Sequence, residues 1–157
     1  MTDQRKPPLL GRVAGIDFGT RRIGIAVSDA RRRIASPYEN YTRVGPAQDA
    51  RRFQRLVAEE QIALFVVGLP VHLDGRESEQ SQGARRFGQW LQEVTGVAVA
   101  FFDERFTTSQ AEEAMREARL TRKGRKKRRD MVAAQMMLQA YLEAQPGWKP
   151  QSLDDTG

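Results

Sequence analysis

Apolar and polar positions alternate along the first third of the chain. Val13-Ala14-Gly15-Ile16 is a short apolar run that ends at Asp17, and Gly19-Thr20-Arg21-Arg22 reads as a turn. Ile23, Ile25 and Val27 alternate with smaller residues, which predicts a second strand antiparallel to the first. After a turn at 29–33, residues 34–43 supply a third strand, and Pro37 favours an edge position for it. The period then changes. Pro46 fits the first turn of a helix running to Gln61, with Phe53, Leu56 and Val57 on one face. Residues 63–67 form a continuous apolar run, as expected of a buried strand, and Gly68-Leu69-Pro70 breaks it. Asp74-Gly75 signals a turn, and Phe87, Trp90, Leu91 and Val94 recur at helical spacing over 77–95. Residues 97–102 predict a fifth strand. Ser109 and Glu112 have capping-box spacing for a helix that fades near Leu120. Asp130 can N-cap a final helix to about Gln145, which Pro146 and Gly147 end.

Three sequential strands joined by tight turns make an antiparallel meander. Two later strands, each reached through a helix, should run parallel to the first. The expected fold is α/β: a mixed five-stranded sheet with helices on both faces. Sites in such sheets form at the carboxyl ends of the parallel strands. Acidic residues stand at such boundaries: Asp17 after the first run, Asp103 and Glu104 after the fifth strand, Asp130 opening the last helix. Carboxylates converging from these points would suit hard divalent cations.

The 157 residues suffice for one domain, expected over 11–145, between an N-terminal extension at 1–10 expected to be disordered and a tail at 146–157. No apolar run is long enough to cross a bilayer, and residues 1–10 lack the apolar stretch of a signal peptide, so a cytoplasmic location is the default expectation. With no cysteine and His72 the sole histidine, thiolate zinc sites are excluded and a His-rich metal site is disfavoured. The net charge of +6 is unevenly spread. Residues 119–129 hold eight basic side chains and no acid; outside them, 18 bases face 20 acids. Such a block is an electrostatic footprint for a polyanion, here nucleic acid, and predicts binding that weakens steeply with salt. Its charge density predicts no packed element and disorder until a polyanion binds.

The stretch from Gly15 to Asp29, reading Gly-Ile-Asp-Phe-Gly-Thr-Arg-Arg-Ile-Gly-Ile-Ala-Val-Ser-Asp, resembles the opening motif of the YqgF family, also called RuvX. The resemblance continues through Gly68-Leu69-Pro70 with Asp74-Gly75, through Asp103-Glu104-Arg105-Phe106-Thr107-Thr108, and through Asp130 before Ala133-Ala134. Phe106 departs from the family's usual leucine. Members carry names such as Holliday-junction-resolvase-like protein and pre-16S rRNA nuclease. The resemblance implies an RNase H-like fold, a cytoplasmic role in maturing the 5′ end of 16S rRNA precursor and, ranked second, resolution of four-way DNA junctions.

By this resemblance the site holds two divalent ions, Mg²⁺ or Mn²⁺, that activate water and leave a 5′-phosphate and a 3′-hydroxyl. Asp17 is the expected ligand shared by both ions, Glu104 the second and Asp130 the third. Asp103 and Glu104 are adjacent and would point to opposite faces of a strand, so only one can face the site; Asp103 could instead pair with Arg105 or a helix end. Thr20, Arg21 and Arg22 lie beside Asp17, and Arg105 and Thr107 beside Glu104, where they could hold a phosphate. Arg122, Lys123, Arg125, Lys126, Lys127, Arg128 and Arg129 would grip backbone rather than read bases. The expected partner is structured RNA or branched DNA. A resolvase would need two sites and therefore a homodimer. Two other classes compete: a non-catalytic nucleic-acid-binding module on the same fold, and an ATP-binding domain, because Asp17-Phe18-Gly19-Thr20 also resembles a phosphate loop of the actin and sugar-kinase superfamily.

Overall fold

The computed structural model describes residues 11–70, 76–106 and 126–150, and for residues 106 and 126–130 the backbone alone. β1 (Arg12–Asp17), β2 (Arg22–Ser28) and β3 (Ala35–Thr42) form the antiparallel meander. α1 (Pro46–Glu60) leads into β4 (Ile62–Leu69), and α2 (Glu79–Thr95) leads into β5 (Ala98–Asp103). A single 3₁₀ turn, Glu104–Phe106, follows β5, and α3 (Lys126–Glu143) is the last helix described. The strand order is β3-β2-β1-β4-β5, with β4 parallel to both β1 and β5. The expected mixed sheet is thus present, with β3 at an edge. Pro37 lies where the β2–β3 register shifts, between Ile25 and Ala26, so the missing N–H falls at an irregularity of an edge strand.

Local chemistry sets the helix ends. Pro46 opens α1, and Gln61 closes it in the left-handed conformation (φ 53°), its N–H bonding to the Val57 carbonyl. Ser78 caps α2 by accepting from the Ser81 N–H at 3.1 Å. The alternation of each strand then sorts its side chains into two cores. Ala14, Ile16, Ile23, Ile25, Phe65 and Val67 pack under α1 and α2 with Phe53, Leu56, Phe87 and Leu91. Val13, Ala26, Ala35 and Val66 pack under α3 with Ala134, Met137, Leu138 and Leu142.

Two boundaries differ from expectation. β4 continues through Gly68 to Leu69, because Gly68 pairs with Phe102 and Leu69 with Asp103 of β5; ladder pairing outweighs glycine's weak strand preference. α3 begins at Lys126, so Asp130 lies in its second turn and is not the N-cap. Lys126, Lys127, Arg128 and Arg129 belong to that helix, since Lys and Arg are good helix formers and their mutual repulsion is screened by solvent and salt. The 109–120 helix with its capping box, the turn at Asp74-Gly75, His72 and residues 1–10 lie outside the described residues.

Asp49, in the first turn of α1, is buried at 2% exposure. Its Oδ1 accepts from the Tyr41 hydroxyl at 2.6 Å, the Val44 N–H at 3.0 Å and the Gly45 N–H at 3.4 Å, and Arg43 lies 3.7 Å from Oδ2. Burial alone would push this carboxyl up; the hydrogen bonds and the Arg43 charge outweigh burial and hold it below the usual carboxylate range. Burial, followed by the bond to Asp49, pushes the Tyr41 phenol up to about 12. A depressed carboxyl contributes stability that is present above its unfolded pKa and lost as pH falls through its folded one. We expect Asp49→Asn to cost about 2 kcal/mol at neutral pH, since an amide nitrogen or a reduced acceptor charge then meets these donors. The deficit should shrink on acidification; thermal melts of both proteins from neutral to acid pH check this, and a constant deficit would exclude the charge as its source.

Candidate active site

The carboxyl ends of β1, β4 and β5 lie along one edge of the sheet because the three strands are parallel. Asp17 ends β1 and Gly24 of β2 stands opposite it. Along β1, Asp17 has the same parity as Val13 and Gly15, which face α3: Val13 belongs to the core beneath that helix, and a Cβ on Gly15 would lie 2.7 Å from Leu138 Cβ. Asp17 therefore projects from the α3 face. Ile16 pairs with Val67, so the next position along β4, beside Asp17, is Gly68.

Gly68 carries the geometry further. It alternates with Val66, which also faces α3, and a Cβ built on it would lie 2.5 Å from Glu104 Oε1 and 3.3 Å from Glu104 Cδ and Cγ. The Glu104 carboxylate thus rests on the bare backbone of Gly68, on the same face as Asp17 and one strand away, roughly 4.8 Å between strands. Adjacent residues diverge along a strand, but β5 ends at Asp103 and Glu104 opens a 3₁₀ turn. Asp103 takes a different partner. It accepts from the Arg105 N–H at 2.9 Å and from Arg105 Nε and Nη2 at 2.9 and 2.6 Å. These bonds from the Arg105 side chain hold the Asp103 carboxyl below its ordinary range, whereas burial, then the neighbouring Asp103 charge, pushes Glu104 up.

The direction of α3 is set by two glutamines. Gln135 Nε2 donates to the Ala35 carbonyl at 3.1 Å; one turn later Gln139 accepts from the Ala35 N–H at 2.8 Å and donates to the Arg33 carbonyl at 3.0 Å. Moving forward along α3 therefore means moving back along β3, which is parallel to β1. The amino-terminal end of α3 points to the edge that carries Asp17 and Glu104. Asp130 stands one turn before Ala134, whose carbonyl lies 3.3 Å from a Cβ built on Gly15. Its backbone is thus on the near side of the site. Among the described residues no three His, Asp or Glu side chains form a metal-holding group, and the side chain of Asp130 lies outside that description.

Of the candidate phosphate-holding residues, Thr20 and Arg21 are exposed in the β1–β2 turn, and Arg22 begins β2 with the parity of Gly24 and Ala26, on the α3 face. Arg105 forks onto Asp103. Thr107, Arg122, Lys123 and Arg125 lie outside the described residues, and Lys126 to Arg129 are placed by backbone in the first turn of α3. Gly68 is a site residue that the sequence marks as a strand breaker and as part of a family-like motif, with no role in the site assigned to it. Its signal was a glycine ending the apolar run of β4, the parallel strand beside that of Asp17, and its meaning depends on a neighbour distant in the chain.

Gly68→Ala tests this cradle. The clashing atom is the end of a flexible side chain, so the fold should survive while the Glu104 carboxylate is displaced. We expect cleavage to fall about 10- to 100-fold with an unchanged melting temperature, as for loss of an orienting contact at a metal site. Full activity would mean that the position of Glu104 does not matter.

The RuvX family model, described as a Holliday junction resolvase, matches residues 11–144. A protein of Rhodopirellula baltica named "Putative pre-16S rRNA nuclease" is 47% identical over 137 residues, 87% of this chain and 79% of that one. A protein of Rhodobacter capsulatus with the same name is 45% identical over 136 residues, 87% of this chain and 86% of that one. Among solved structures, Thermus thermophilus RuvC in complex with Holliday junction substrate matches with a TM-score of 0.51 at 16% identity, over 85% of this chain and 95% of that one; it shares the RNase H-like fold. Among the described residues no helix is long and apolar enough to cross a membrane. One family model follows this chain from its first strand to the end of its last helix, and the protein is therefore a member of the RuvX, or YqgF, family of resolvase-like nucleases.

Proposed function

We propose that this protein hydrolyses phosphodiester bonds of nucleic acid with divalent metal, and that its substrate is the 5′ region of 16S rRNA precursor in the cytoplasm. The observation that supports the reading is the shared face: Glu104 lies against Gly68, the position on β4 beside Asp17, at the edge toward which the amino end of α3 runs with Asp130. The donors fit the metal. Carboxylate oxygens are hard ligands suited to Mg²⁺ or Mn²⁺, and the chain has no cysteine to favour a softer ion. Asp17, Glu104 and Asp130 would hold the ions, which supply charge stabilisation and an activated water when bound. The chain's own residues bind and orient. Arg22 and the exposed Thr20 and Arg21 flank the carboxylates on the β1–β2 turn, and the basic stretch from Arg122 to Arg129 grips the backbone to either side. The names of the relatives favour RNA. The family's description supports a second substrate, a four-way DNA junction, for which two protomers would act as a homodimer.

One comparison tests both. An RNA spanning the 5′ leader junction and a four-way DNA junction are incubated with the protein in Mg²⁺, in Mn²⁺ and in EDTA. We expect RNA products with 5′-phosphates, slower junction cutting, and no cleavage in EDTA. Faster, paired cuts in the junction would transfer the reading to resolution. Cleavage that survives chelation, or none in any metal, would end the hydrolytic reading.

A further inference from the structure

On the opposite face of the sheet from the carboxylates lies a cleft of about 940 Å³. Its walls are the start of the β1–β2 turn, the β3–α1 loop and one side of α2. Phe18, Phe87 and Trp90 line it as a graded aromatic surface, with Phe18 and Phe87 centroids 5.0 Å apart and Phe87 and Trp90 centroids 5.5 Å apart. Phe87 is buried, while Phe18 and Trp90 are only partly covered and keep ring surface toward the cleft. The exposed guanidinium of Arg43 lies over both phenylalanines, 5.3 Å from the Phe18 ring and 5.9 Å from the Phe87 ring. The loop that presents it is held by buried Asp49 through the Val44 and Gly45 N–H groups.

Composition selects the ligand. Two arginines, Arg43 and Arg86, line the cleft together with two acids, Asp49 and Glu79, so it carries no net positive charge and is a poor trap for phosphate alone. Flat aromatic and guanidinium surfaces, with the Gln80 and Gln82 amides at the wall, suit the face and edge of a nucleobase. The volume falls within the usual range for pockets of small organic ligands, enough for a nucleotide or two. The cleft also adjoins the proposed centre. Phe18, Gly19 and Thr20 directly follow Asp17, so Thr20 is within ~10 Å of it along the chain.

We propose that this cleft binds an unpaired base of the substrate strand, stacked on Trp90 and Arg43, while the adjoining phosphate lies at the carboxylates. The proposal rests on the nuclease reading for its ligand and adds a requirement to it: the substrate must offer a single-stranded nucleotide beside the scissile bond. A base held in a duplex is stacked and paired, and cannot enter the cleft without leaving the helix.

The two tryptophans of the chain, Trp90 and Trp148, permit a direct test. In a Trp148→Phe background, Trp90 is the only indole fluorophore. Short single-stranded RNA is titrated in EDTA, so that no cleavage occurs, with duplex RNA as the control. We expect quenching by the single strand and none by the duplex, and an Arg43→Ala change should weaken single-strand binding about 10- to 100-fold. Cleavage of a leader RNA is then followed with an abasic site stepped along the strand. At one position near the scissile bond the abasic substrate should lose as much as Arg43→Ala, and the two changes together should lose no more than either alone. Trp90→Phe should retain most of the binding that Trp90→Ala loses, while Trp90→Leu, which keeps apolar packing on Phe53 and Phe87 but no aromatic face, should lose it, and so separates stacking from packing. Unquenched fluorescence, or additive losses at every position, would overturn the cleft. A protein that quenches with single strands but cleaves nothing would keep the cleft and remove the nuclease reading.

Discussion

Asp17→Asn is expected to reduce cleavage at least about 10³-fold while leaving nucleic-acid affinity in EDTA unchanged. The magnitude follows from the proposed role as a metal ligand: a metal at a phosphodiester supplies several kcal/mol of transition-state charge stabilisation, and each ~1.36 kcal/mol is tenfold in rate. Asparagine keeps the shape of the side chain but removes the charge that would balance two cations. The change sits at the last residue of β1, past the pairs that Ala14, Gly15 and Ile16 make with β4, so the ladder should be intact. The proposed grip on the polyanion comes from cationic side chains elsewhere and should not depend on this carboxylate. Melting temperature, RNA affinity and single-turnover cleavage measured on one preparation separate these effects. Cleavage within about tenfold of wild type would mean that Asp17 holds no metal essential to hydrolysis.

Gly15→Val should cost more than ~3 kcal/mol of stability. A first side-chain atom at Gly15 would meet Leu138 Cβ at 2.7 Å and the Ala134 carbonyl oxygen at 3.3 Å, so the obstruction includes helix backbone that cannot swing aside. Relief requires α3 to lift from the sheet, exposing the core that Val13, Val66, Leu138 and Leu142 share. At roughly 2–4 °C per kcal/mol for a chain of this size, the melting temperature should fall by about 6–12 °C or more. Gly45→Ser is the contrast: Gly45 has extended backbone (φ 172°) and nothing within 4 Å of its Cβ position, and its replacement should stay within about 0.5 kcal/mol of wild type. Lifting α3 also moves residue 130 from the sheet edge, so activity should fall in Gly15→Val even at temperatures where it remains folded. An unchanged melt would mean that α3 does not approach β1 this closely.

Patterns with short range were legible in the chain. The period-two alternation of Ile23, Ile25 and Val27 marked β2, and Phe53 and Leu56 marked the buried face of α1. Asp17 stood out because it ends an apolar run, and the order of strands and helices was enough to expect parallel carboxyl ends at one edge. The start of α3 lies four residues before Asp130, because the helix propensity of Lys and Arg outweighs the mutual repulsion of a dense basic block. The Asp49 network drew no attention, since an acid in the first turn of a helix is ordinary there. Its importance comes from Tyr41 and the Val44–Gly45 loop closing over it.

The choice between Asp103 and Glu104 shows the division most clearly. Both are acids after the same strand, and alternation says only that they diverge. A 3₁₀ turn beginning at Glu104 lays that carboxylate on Gly68, while Arg105 claims Asp103. Sequence by itself determined the elements, their order and the acids at their ends, because propensity, capping and periodicity act over a few neighbouring residues. Tertiary structure alone decided which acids share a face, which way α3 runs and where two glycines let other groups approach, because those contacts join residues tens to more than a hundred positions apart that meet only when the sheet and its helices pack.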